Sequence, residues 1–158
     1  FFETKTMSVK GYLDTLAHDR LVFLKNVSTE KNLRTCADGG CDGCGGFGAW
    51  SKFRVKRVEG DCLTRLQCFK DSSKWLQINK EGEITTGALN SDCTFFVVRQ
   101  GNGIASFRSL EHVQFYIGIT KDGVALHSHN DHYDETRFSI EAASDRCSDW
   151  DDRTILGV

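Results

Sequence analysis

One turn-bearing segment occurs three times in the chain, and a chain built that way must fold as three copies of one unit. Trp75-Leu76-Gln77-Ile78-Asn79-Lys80-Glu81-Gly82 alternates apolar and polar residues and then stops at Glu-Gly. The same shape returns as Tyr116-Ile117-Gly118-Ile119-Thr120-Lys121-Asp122-Gly123, and earlier as Asn32-Leu33-Arg34-Thr35-Cys36-Ala37-Asp38-Gly39. Alternation with period two predicts a strand, and the closing glycine predicts a tight turn, because glycine tolerates positive φ. Fourteen residues after Gly39 stands Phe53, fourteen after Gly82 stands Phe96, and fifteen after Gly123 stands Phe138. Each phenylalanine lies in a further apolar strand, and another strand precedes each turn segment, at 21–25, 63–69 and 104–110.

The turn glycines are 43 and then 41 residues apart. Propeller blades and helical arrays share a period near forty. Helical arrays require a 3.6-residue apolar face, which is missing here. A propeller typically needs four or more blades, and only three units fit. The reading that remains is an all-β fold, a β-trefoil: three repeats of about forty residues with four short strands each. The repeats are expected at about 13–60, 61–101 and 102–143, with an N-terminal extension at 1–12 and an acidic tail at 144–158. Leu33, Leu76 and Ile117 are expected to form one core layer, and Phe53, Phe96 and Phe138 another. The bland alternative is a β-sandwich with coincidental spacing.

From Trp75 to Glu141 the chain resembles the fibroblast growth factor family and, more distantly, the interleukin-1 and fascin trefoils. The motifs that carry this are Trp75-Leu76-Gln77-Ile78 with Glu81-Gly82, Phe115-Tyr116-Ile117-Gly118-Ile119 with Lys121-Asp122-Gly123, and Asp134-Glu135-Thr136-Arg137-Phe138. The position that carries cysteine in those growth factors reads Thr136 here. The resemblance implies a non-catalytic extracellular module that binds a receptor or another cell-surface macromolecule, protein or glycan. No Gln-x-Trp closes any repeat, so the alternative lectin reading is of non-ricin type. A cytosolic, actin-binding trefoil of fascin type is the third reading.

Charge and cysteine content bear on compartment and partner. A formal net charge of −2 argues against a nucleic-acid partner, and no apolar run is long enough to insert in a membrane. The chain opens on Phe1 without a charged-then-apolar leader, as expected of a processed or excised segment. Seven cysteines, Cys36, Cys41, Cys44, Cys62, Cys68, Cys93 and Cys147, favour an oxidising compartment and some disulfides. Asn26-Val27-Ser28 is an acceptor triplet for N-glycosylation at Asn26. Both point to a secreted protein.

Four places are candidate sites. Cys36 to Gly48 reads as a Gly-rich insertion that breaks the threefold pattern, either a disulfide-pinned loop or a thiolate zinc cluster. Lys52, Arg54 and Lys56 alternate with Phe53 and Val55, and so form a basic stripe for a sulfated polysaccharide or an ordinary solvated face. Trp50 and Tyr133 are aromatic candidates for sugar stacking. His127, His129, His132 and Asp134 have the ligand chemistry of a transition-metal site, with a solvated polar turn as the alternative. No catalytic motif is recognisable, and neither an enzyme activity nor a cofactor is expected.

Overall fold

The computed structural model describes residues 16–58, 62–130 and 133–144. The expected extension at 1–12, nearly all of the expected tail, Cys147 and His132 lie outside the described residues. The chain is all-β, an antiparallel sheet of ten strands. These are β1 (Leu21–Asn26), β2 (Asn32–Thr35), β3 (Cys41–Gly45), β4 (Lys52–Arg57), β5 (Leu63–Cys68), β6 (Trp75–Ile78), β7 (Ile84–Gly87), β8 (Phe95–Gly101), β9 (Ile104–Ser109) and β10 (Phe138–Ala142).

The strand pairings close on themselves. β1 pairs β4, β4 pairs β5, β5 pairs β8, β8 pairs β9, β9 pairs β10, and β10 returns to β1. A ring of six strands leaves none of the six with an open edge. The register repeats as well: Phe53 faces Val22, Phe95 faces Thr64, and Phe138 faces Ala105.

Between the ring strands of each unit lies a hairpin. β2 pairs β3, and β6 pairs β7. In the third unit, bridges Tyr116↔Ser128 and Ile119↔Ala125 take the place of a full ladder. The three turns have the same geometry. Gly39, Gly82 and Gly123 lie at φ 92°, 83° and 82°. Each donates its N–H to the carbonyl three residues back, in Cys36, Asn79 and Thr120, at 2.9 Å. A short 3-10 turn precedes each closing strand, at Ala49–Ser51, Ser91–Cys93 and Asp134–Thr136.

Corresponding positions of the three repeated segments are buried in one core. Leu33, Leu76 and Ile117 are fully buried, as are Leu24, Leu66 and Phe107. The phenylalanine layer is Phe53, Phe95 and Phe138, each with no exposed surface. Phe96 is only half-buried, so that expectation is corrected by one residue. The cause is loop length: the second unit reaches its core phenylalanine thirteen residues after the turn glycine rather than fourteen. With side chains alternating across a strand, a slip of one residue reverses the face.

The Gly-rich insertion is also corrected. Residues 41–45 form β3, the counterpart of β7, and packing demands the glycines there. A Cβ at Gly43 would lie 2.2 Å from Ile119 Cγ2, and one at Gly45 2.3 Å from Ser51 Oγ and 2.7 Å from the Asn32 carbonyl.

Candidate functional site

The hairpin turns interlock around a cycle. The carbonyl of Gly39 accepts a bond from Thr86 N at 2.8 Å, and the carbonyl of Gly123 accepts one from Gly43 N at 2.8 Å. The carbonyl of Gly82 is met differently, by the imidazole Nδ1 of His127 at 2.9 Å. Thr86, His127 and Gly43 each stand four residues past the turn glycine of their own unit. The interlock sets the third turn against the first unit.

Where the third turn meets the first unit, a cleft of about 190 Å³ opens, lined by Ser28, Thr29, Lys31, Gly43, Cys44, Lys121, Asp122 and Gly123. Its shape follows from the turns beside it. Asn26 Oδ1 accepts from the N–H groups of Ser28 and Thr29 at 3.1 and 3.2 Å, and Glu30 adopts φ 60°, which brings the chain back into β2. Across the cleft, the tight turn ending at Gly123 presents Lys121 and Asp122 to solvent. Lys31 and Lys121 are exposed ammonium groups on two turns, with hydroxyls beside them. That combination of point charges and hydroxyl donors suits an anionic oxygen ligand. No sequence pattern marks it, because the two lysines are ninety residues apart and each sits in an ordinary polar turn.

The basic stripe is present on β4, but its cations are taken. Lys52 is 4% exposed, donates Nζ to the Ser144 carbonyl at 2.9 Å, and lies over the Phe69 ring. Arg54 Nη1 donates to the Asp19 carbonyl at 2.8 Å, and Lys56 pairs with the Asp19 carboxylate. The Lys56 hydrogen bond holds the Asp19 carboxyl below the usual carboxylate range. Alternation puts Lys52, Arg54 and Lys56 on the side of β4 opposite buried Phe53 and Val55, but Lys52 is itself buried, and what covers that side comes from residues 19 and 144.

Asn26 is a correction of substance. It is fully buried, and its Nδ2 donates to the Glu135 carbonyl at 2.9 Å while its Oδ1 caps the following turn. An Nδ2 carrying a glycan has no room there, so this fold and glycosylation at Asn26 exclude each other.

The six described cysteines are free thiols, with no disulfide among them. Cys68 and Cys93 are buried, Cys36 and Cys41 half-buried, and Cys44 and Cys62 exposed. Burial pushes the Cys68 thiol up to about 12 and the Cys41 thiol higher still. Burial likewise raises Cys36 and Cys93 above the ordinary thiol value. Such thiols stay protonated and pack as small apolar groups.

Trp50 is half-buried, with the Lys70 ammonium 5.9 Å from its ring centre. Tyr133 is 58% exposed, and its carbonyl accepts from Thr136 N. Asp134 pairs with Arg137 at 3.6 Å. His127 and His129 fall on one side of their segment, both against Phe115 at 4.5 and 5.4 Å between ring centres. Among the described residues no group of three or more His, Cys, Asp or Glu side chains converges to hold a metal ion.

No known protein family matches the chain, and no characterised protein matches it significantly.

Proposed function

We propose that the chain is a β-trefoil acting as a non-catalytic recognition module, growth-factor-like, which binds an anionic cell-surface macromolecule such as a sulfated polysaccharide. The trefoil reading is supported by the six-strand ring, the three hairpins and the threefold layers, each unit giving two strands to a barrel and one hairpin to its cap. The observation that carries the functional reading is the cleft lined by Lys31 and Lys121, with the hydroxyls of Ser28 and Thr29 and the carboxylate of Asp122 on the same lining. The β4 stripe supports that role less, because its cations already hold internal partners. The test is binding to immobilised heparan sulfate at rising ionic strength. Binding should weaken with salt as exposed charges are screened, and Lys31→Ala with Lys121→Ala should weaken it at least about tenfold, one such factor being 1.4 kcal/mol. Unchanged binding by that double variant, or no binding by the parent chain, overturns the reading. Selective binding to neutral glycans, lost in Tyr133→Ala, would replace it with the lectin reading.

A second reading is favoured by two observations, the burial of Asn26 and the six free thiols. Both suit a reducing compartment, and with it a fascin-like trefoil that binds actin. Intact mass before and after reduction separates the two. An unchanged mass together with cosedimentation with actin filaments supports the intracellular reading, and a mass gain on reduction rejects it.

A further inference from the structure

We propose that His127 and His129 form a two-imidazole site for a divalent first-row transition ion such as zinc, separate from the anion cleft and sharing no residue with it. The His127 Nδ1 faces the Gly82 carbonyl at 2.9 Å, and a carbonyl can only accept, so Nδ1 carries the hydrogen. In the neutral ring the lone pair is then on Nε2. A histidine whose other nitrogen donates to a backbone carbonyl is held in the tautomer and orientation that metal ligation uses. Gly82 makes this approach feasible, since a Cβ there would lie 2.4 Å from His127 Nδ1.

His129 supplies the second ligand. Two residues further along an extended segment it lies on the same side, and the two ring centres are 5.7 Å apart with planes at 77°. Zinc–nitrogen bonds of about 2.0–2.1 Å at a tetrahedral angle put two ligating ring centres roughly 5 Å apart. The observed spacing is within a small rotation of that value, and His129 is exposed and able to make it. Phe115 backs both rings, which limits their other rotamers. With no third protein ligand among the described residues, the remaining positions on the ion fall to water or to a bound partner.

The experiment is a zinc titration of the full chain after alkylation of its accessible thiols, read by NMR of the imidazole protons and by calorimetry, with magnesium as the control ion. The expected result is a saturable shift of both ring signals by zinc and none by magnesium. His129→Ala should weaken that binding at least about tenfold, a change of 1.4 kcal/mol or more. His127→Asn keeps an N–H at the Nδ1 position for the Gly82 carbonyl and removes the ligating nitrogen, so it should lose the site while remaining folded. Ring signals that zinc does not move, or two variants that bind zinc as the parent does, overturn the proposal.

Discussion

The seam between the third and first hairpins and the seam between the second and third occupy equivalent places and are built in opposite ways. At the first, backbone meets backbone: Gly43 N reaches the Gly123 carbonyl, Asp42 bridges Val124, and Ile119 fills the space that a side chain at 43 would take. At the second, the imidazole of His127 is wedged between the strands and its ring, not the backbone, reaches the Gly82 carbonyl. A backbone seam is close and fixes glycine. A side-chain seam leaves a half-buried imidazole between the two hairpins. One threefold frame can thus carry different chemistry at each junction.

The largest test breaks the close seam. Gly43→Val forces a branched side chain against fully buried Ile119, and overpacking of this kind should cost about 3 kcal/mol in denaturant unfolding. If the cost is under about 1 kcal/mol, the seam is looser than described. Asn26→Ala attacks the other tie between the same two units. It removes the Asn26 donor from the Glu135 carbonyl, which keeps its bond from Ile119 N, and leaves the N–H groups of Ser28 and Thr29 without their acceptor, for an expected loss of about 2 kcal/mol. Expression through a secretory pathway should also give folded protein with no glycan at Asn26.

The side-chain seam should be cheaper to open. His127→Ala removes one side-chain hydrogen bond and the packing on Phe115, for about 1 kcal/mol. Amide exchange in residues 116–128 should rise while that in β6 and β7 does not. A cost equal to that of Gly43→Val would erase the distinction between the seams.

A pH-graded test concerns the first hairpin's half-buried thiol Cys41 and its neighbour Cys68. Their folded values lie above the ordinary thiol value of 9.0, so the folded state keeps protons that the unfolded chain releases. The stability this gives is fully present below about pH 8.5 and is lost progressively above it, at about 1 kcal/mol per pH unit for a buried thiol. Melting temperature from pH 8 to 11 should fall, and Cys68→Ala should flatten that slope.

How much of this was legible in the sequence differs between frame and site. The turn at Gly82 could be read because glycine, acid and alternation sit within eight residues and fix local dihedrals. The core face of Leu33, Leu76 and Ile117 followed from period two alone. The Phe95 layer was missed by one residue because loop length shifts the register without changing composition. Alternation sets Lys52 and Arg54 opposite the core phenylalanine, yet their partners Ser144 and Asp19 are far away in sequence and no local pattern shows that Lys52 is buried. Asn26 carried a surface motif and is buried, since what covers it is the backbone of residue 135.

The sequence by itself therefore determined three units, their strands, their turns and most of their inward faces. Those properties depend on backbone dihedrals and on side-chain alternation, which neighbouring residues set. Only the tertiary structure decided that six strands close into a ring, that the basic stripe is clasped, that Asn26 is buried, and that Lys31 and Lys121 line one cleft. Each of those is a juxtaposition of segments tens of residues apart. It forms because the shared core gains more from burial than loop closure costs, and no local pattern records that balance.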